Sequence, residues 1–135
     1  MKKVLFVCVH NSGRSQMAEA LFNHYAAGKA KAFSAGTQPA SHVNPAVAKA
    51  MREVGIDIST QHPKRLTPEM VDDADKVVTM GCGVEGICPA TFVPTEEWQI
   101  EDPEGKPMKK VREVREEIKT RVKKLIDELW QGEEE

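Results

Sequence analysis

Cys8-Val9-His10-Asn11-Ser12-Gly13-Arg14, followed by Ser15, sets a thiol and a guanidinium six positions apart on a short polar stretch. That spacing alone recurs by chance; its setting gives it weight. The apolar run Val4-Leu5-Phe6-Val7 ends at Cys8, and a helical pattern begins where the stretch ends. At such a junction the first N–H groups of the helix have no intrahelical partner, and the helix dipole adds positive potential. Together they suit a tetrahedral oxyanion. The expected anion-binding set is Val9, His10, Asn11, Ser12, Gly13, Arg14 and Ser15, with Arg14 gripping two oxygens through its planar fork. Thiols in such a field titrate well below the ~8.5 of a free cysteine, so Cys8 is expected to be an ionised nucleophile, with the Ser15 hydroxyl donating to it. Asn11 and Gly13 both tolerate the left-handed backbone that a tight loop demands. The plainer reading is a buried cysteine closing a strand before a polar turn. Agreement among strand, loop, Arg, Ser and helix favours the nucleophile.

Two more cysteines, Cys82 and Cys88, make three in all. An odd number argues against a secreted disulfide framework, and in a reducing compartment free thiols are buried fillers, metal ligands or working nucleophiles. Cys82 follows the apolar run Val77-Val78, which places it at the carboxyl edge of a sheet, as Cys8 is placed; ligands of open α/β sheets bind at that edge. Five residues, Gly83 and Gly86 among them, separate Cys82 from Cys88. Such a segment can bring two Cα atoms within the about 7 Å that a disulfide needs. A zinc site built from Cys8, Cys82, Cys88 and either His10 or His62 is the competing reading. It lacks any Cys-x-x-Cys or His-x-x-x-His pair and would block the nucleophile, so no metal is expected. Asp102-Pro103 reads on residue type alone as a turn starter. His24, His42 and His62 read as surface or satisfied polar residues.

The elements that would hold these groups are legible from periodicity. Residues 2–7 form a strand apolar enough to be buried on both faces, and residues 15–27 a helix stopped at Gly28. A weaker strand over residues 31–35 ends at Gly36. Asn44-Pro45 and Thr67-Pro68 each start a helix, a capping side chain followed by proline at the first helical position; Val47, Met51 and Val54 continue the first, which Gly55 closes. Residues 76–80 form a second buried strand, residues 81–94 a loop rich in glycine and proline, and residues 97–100 a short last strand. Val111, Val114, Ile118, Val122, Leu125, Ile126 and Leu129 make one stripe on a helix over residues 109–130. Strands alternating with helices predict an α/β fold with a parallel sheet and helices on both faces. The last helix is expected to pack on the sheet rather than on a partner.

Size and charge narrow the function. A chain of 135 residues implies one domain, residues 1–135. Its net charge of −2 argues against nucleic acid or an anionic membrane as a partner. No run of about 18 apolar residues is present to span a membrane, and the N-terminus lacks the pattern of a signal peptide. A cytoplasmic monomer is expected.

The segment Cys8-Val9-His10-Asn11-Ser12-Gly13-Arg14-Ser15-Gln16-Met17-Ala18-Glu19-Ala20 resembles the signature of arsenate reductases built on the low-molecular-weight protein tyrosine phosphatase fold. The likeness continues through Ser34-Ala35-Gly36-Thr37, Gln61-His62-Pro63-Lys64, Cys82, Cys88-Pro89 and Asp102-Pro103. It implies a single domain with a four-stranded parallel sheet, an oxyanion loop at Cys8 and no bound redox cofactor. It also implies a relay: Cys8 bonds to arsenate, Cys82 attacks Cys8 as arsenite leaves, and Cys88 takes over Cys82. An external thiol reductant, thioredoxin in that family, then reduces the Cys82–Cys88 disulfide. Asp102 matches the residue that protonates a leaving group. The five residues between Cys82 and Cys88 are one fewer than the thioredoxin-coupled branch carries, which leaves the reductant open among thioredoxin, glutaredoxin and a small thiol. Asn11, Glu19 and Ser34 match a potassium site of some members, but Lys64 stands where an acidic residue is expected and would repel the cation. Two other functions remain: a low-molecular-weight tyrosine phosphatase working through phosphocysteine at Cys8, and a non-catalytic oxyanion- or metal-binding module. Hydrolysis needs neither Cys82 nor Cys88, and binding alone needs no nucleophile.

Overall fold

Val4, Leu5, Phe6 and Val7 are apolar on both sides of the strand, and a strand with two apolar faces must be covered twice. The computed structural model describes residues 2–80 and 95–133, the last four by their main chain alone. In it β1 (Lys2–Cys8) lies between β2 (Ala30–Gly36) and β3 (Lys76–Met80), with β4 (Thr95–Trp98) beyond β3, and every pairing is parallel. Among the described residues four helices connect and cover them: α1 (Arg14–Ala26), α2 (Pro45–Arg52), α3 (Pro68–Asp73) and α4 (Met108–Glu133).

The alternation of β1 divides the core. Val4, Phe6 and Cys8 face Met17, Leu21 and Phe22 of α1 and the Val111–Ile118–Val122–Leu125 stripe of α4. Leu5 and Val7 face the other way, toward Ala35, Val77 and Val71 of the short α3. The expected α/β layering, with helices on both faces of a four-stranded parallel sheet, is what the chain adopts. No helix among the described residues is long and apolar enough to cross a membrane.

Local signals explain the boundaries. Asn44 caps α2 by accepting from Ala46 N at 2.9 Å, and Thr67 caps α3 by accepting from Met70 N at 3.3 Å, each ahead of a proline. Ala27 and Gly28 end α1 in the left-handed region, at φ 50° and 86°.

Several boundaries differ from the sequence reading; α4 runs on to Glu133, where residue 130 was expected, and two others have a structural cause. The last strand runs from Thr95 to Trp98, two residues earlier than expected, because Val77 pairs with Thr95 and Met80 with Trp98. Ile100 is buried beyond that strand, so its apolar side chain belongs to the core and not to the ladder. Helix α2 stops at Arg52, and Gly55 at φ 81° turns the chain, leaving Val54 39% exposed. The anticipated loop over residues 81–94, which contains Cys82 and Cys88, lies outside the described residues.

Candidate active site

The segment between β1 and α1 turns its carbonyls outward one after another. Cys8 O accepts from Thr37 N at 3.3 Å, Val9 O from Gln38 N at 2.8 Å and His10 O from Ala40 N at 2.9 Å. Asn11 O accepts from Gln16 Nε2 at 3.0 Å, Ser12 O from Asn44 N and Gly13 O from Met17 N, both at 2.9 Å. In a planar trans peptide the N–H points opposite to the C=O. Six carbonyls facing out therefore aim the N–H groups of residues 9–14 the other way, toward a common hollow. Among the described residues no main-chain hydrogen bond uses the N–H of His10, Ser12, Gly13 or Arg14, and no side chain caps α1 at Gly13. Those donors and the helix dipole form a nest for an anion.

Gly36 fits this loop by necessity. A Cβ there would meet Val9 O at 2.6 Å and Asn11 at 3.0 Å, so no larger residue leaves the loop in place. Asn11 takes the left-handed conformation at φ 51°, as its residue type permits.

Cys8 Sγ sits at the bottom of the hollow, 3% exposed. Asn11 N donates to it at 3.3 Å, and Ser15 Oγ lies 2.8 Å away. Hydrogen-bond bookkeeping fixes the direction of the second contact. Lys64 N donates to Asn11 Oδ1 at 2.9 Å, which leaves Asn11 Nδ2 to donate to Ser15 Oγ at 2.7 Å. The hydroxyl, thus acting as acceptor, has its one hydrogen free for the sulfur. Two donors thus converge on one buried sulfur.

Arg14 is buried to 8% exposure and anchored at one corner, NH1 donating to Ile100 O at 3.1 Å. Its Nε is buried with no partner among the described residues, and NH2 lies 3.6 Å from Asp102 Oδ2. An unpaired buried donor of this kind awaits an acceptor. An oxyanion in the loop supplies one.

Residues 3–134 match the family described as low molecular weight phosphotyrosine protein phosphatase. The chain belongs to that family. Its relatives include the "Glutaredoxin arsenate reductase" of Synechocystis sp., 43% identical over 133 residues, covering 96% of this chain and 99% of that protein. Among solved structures it resembles the Corynebacterium glutamicum thioredoxin-dependent arsenate reductase Cg_ArsC1' (TM-score 0.85, 39% identity, 98% of this chain), and it spans 63% of that chain's length. The YwlE arginine phosphatase of Geobacillus stearothermophilus has the same fold, with a TM-score of 0.84 at 25% identity over 98% of this chain and 95% of that one.

On this phosphatase-family scaffold the structure gathers Cys8, Arg14 and Asp102, along with the whole set from Val9 to Ser15. Cys82 and Cys88 lie outside the described residues. Asp102 is held by a turn, its Oδ1 accepting from Glu104 N at 3.0 Å, and its own side chain is about half exposed. Pro103 would lie 3.6 Å from a Cβ on Gly13, so the Asp102 turn rests directly on the anion loop. His10 Nδ1 stands 3.9 Å from Glu104. The ligand atoms of His10, Asp102 and Glu104 fall within 4.8 Å of one another, but the Arg14 guanidinium beside Asp102 opposes a cation there. At the positions compared above with a potassium site, Lys64 Nζ stands 3.9 Å from Glu19, to which Ser34 Oγ donates at 2.9 Å.

Sequence reasoning missed three participants. Gln16 and Gln61 hold the back of the loop, and the Ile100 carbonyl fixes Arg14. A buried glutamine on α1 and a main-chain carbonyl past β4 carry no signature in composition or spacing.

Arg14→Lys keeps the charge and removes the fork. Losing one charge-assisted hydrogen bond costs about 1.5–3 kcal/mol, so phosphate is expected to bind about 10- to 100-fold more weakly in a calorimetric titration. An unchanged affinity would mean that the guanidinium does not grip the anion.

Proposed function

We propose that this chain reduces arsenate to arsenite at Cys8, and that Cys82 and Cys88 pass the oxidation on to an external thiol reductant. The observation that carries this reading is a nest of N–H groups closed around a buried sulfur, beside an arginine whose Nε has no partner among the described residues, in a chain that keeps two further cysteines.

Arsenate resembles phosphate in shape and charge and suits the same nest. The Cys8 thiolate attacks arsenic, and Asp102 gives a proton to the departing oxygen as the sulfur–arsenic bond forms. Arg14 and the N–H groups hold the remaining oxygens. The Cys82 thiolate then attacks the Cys8 sulfur. The electron pair of the sulfur–arsenic bond goes to arsenic, As(V) leaves as As(III), and a Cys8–Cys82 disulfide remains. Cys88 attacks Cys82 and frees Cys8, and the reductant opens the Cys82–Cys88 disulfide. Two thiols are oxidised for each arsenate reduced, so the chemistry calls for no resident redox cofactor. Every group invoked belongs to one chain, so a monomer in the reducing cytoplasm suffices.

The likeness to an arginine phosphatase favours hydrolysis of a bound phosphoryl group as a second reading, since Cys8, Arg14 and Asp102 serve both reactions. Two observations weigh against it. Hydrolysis has no use for Cys82 or Cys88, and the chain's single tyrosine, Tyr25, packs between His24 and Lys123 and forms no aromatic rim for a phosphotyrosine.

Arsenite formation measured with thioredoxin, with glutaredoxin plus glutathione, and with a small thiol alone separates these readings. Sustained arsenite release with at least one reductant supports the reductase. Fast phosphate-ester hydrolysis with no arsenite from any of the three identifies a phosphatase instead.

A further inference from the structure

Of the six outward carbonyls of the anion loop, five are held by main-chain N–H groups, which no substitution short of proline removes. The sixth, Asn11 O, is held by a side chain. Gln16 Nε2 donates to it at 3.0 Å, to Asn11 Oδ1 at 3.1 Å and to His62 O at 3.1 Å. The two main-chain carbonyls settle which end of the Gln16 amide is the nitrogen, and its oxygen accepts from Gln61 Nε2. Gln16 is fully buried, and its amide is satisfied at both ends.

This bond acts at the one residue between β1 and α1 that has a positive φ. Asn11 sits at φ 51°, a region that costs a side-chain-bearing residue about 1–2 kcal/mol. Without its donor, the Asn11–Ser12 peptide is free to rotate. Rotation would bring Asn11 O toward the hollow and swing Ser12 N–H out of it. One donor would be lost, and a carbonyl dipole would face a thiolate and an oxyanion.

We propose that Gln16 is a positioning residue that pins the Asn11–Ser12 peptide and so sets both the ionisation of Cys8 and the oxyanion affinity of the loop. The inference rests on the reading of Cys8 as a thiolate nucleophile. It adds a residue that touches neither the sulfur nor the substrate.

The test uses the full chain carrying Cys82→Ser and Cys88→Ser, so that Cys8 is the one thiol present. The rate of alkylation by iodoacetamide is followed against pH, with and without inorganic phosphate as the protecting anion. Gln16→Met keeps the volume and removes the donor. Its alkylation midpoint is expected to rise by about one pH unit, and half-protection to need about tenfold more phosphate, a unit being a tenfold change in equilibrium. A Gln16 amide that served stability alone would lower the melting temperature on substitution and leave the midpoint where it was; a folded Gln16→Met with unchanged midpoint and protection overturns the proposal. Should Gln16→Met fail to fold, Gln61→Leu removes the group that holds the Gln16 amide at a half-buried position. A smaller shift in the same direction supports the pin, and no shift rejects it. The two levels of failure are distinguishable. A parent protein that alkylates like a free thiol removes the nucleophile reading and this inference with it. A low parent midpoint that ignores Gln16 removes only the inference.

Discussion

Cys8→Ser eliminates arsenate reduction, with a loss of at least about 10⁴-fold in turnover, the scale of removing an essential nucleophile. Two donors surround the sulfur that the reaction needs as a thiolate; a serine hydroxyl, far weaker as an acid, stays protonated in the same place. Even an arsenate ester on serine could not carry the reaction forward, because reduction requires sulfur to surrender the electron pair that arsenic gains. The nest itself is main chain and remains, so Cys8→Ser is expected to bind phosphate about as well as the parent. Arsenite release and calorimetric phosphate binding, measured on one preparation, check both halves. Activity within tenfold of the parent would move the chemistry to another residue.

Under the proposed relay, Cys82→Ser and Cys88→Ser are each expected to stop sustained arsenate turnover, and at different points. With Cys82→Ser, nothing attacks the Cys8 sulfur and arsenite is not released. With Cys88→Ser, one equivalent of arsenite leaves and the chain halts as a Cys8–Cys82 disulfide. Both variants are expected to keep weak hydrolysis of a phosphate ester at Cys8, since that reaction would need only the nest, Cys8, Arg14 and Asp102. Quenched-flow counting of arsenite per chain separates the two. Parent-like steady-state turnover in either variant excludes the relay.

How much of this could be read from the residues depends on how local the cause is. Strand β1, its cysteine, the following loop and α1 were legible because apolar run, polar turn and helical spacing are adjacent in the chain. The caps at Asn44 and Thr67 were legible for the same reason, each acting within three residues. The start of β4 was not, since it is set by pairing of Thr95 and Trp98 with a strand nearly twenty positions earlier. Nor did spacing show what turns the loop's carbonyls outward: Thr37, Gln38 and Ala40 past β2, Asn44 at the cap of α2, and Gln16. Cys8 and Arg14 were visible as residues, whereas the geometry that makes them chemically useful is spread over the fold. Asp102 shows the boundary between the two. By type it is a turn residue, and the structure makes it one, yet the turn leans on Gly13 and brings the carboxylate to Arg14.

The most direct measurement is a single turnover without any reductant, in which fully reduced protein is mixed with excess arsenate and analysed by mass spectrometry and arsenite counting. The expected result is one arsenite per chain, a mass lower by about 2 Da from the loss of two thiol hydrogens, and a proteolytic fragment joining Cys82 to Cys88. Unchanged mass with no arsenite, from protein shown to bind phosphate, would contradict reduction at Cys8 and leave the loop as a site for hydrolysis or for binding alone.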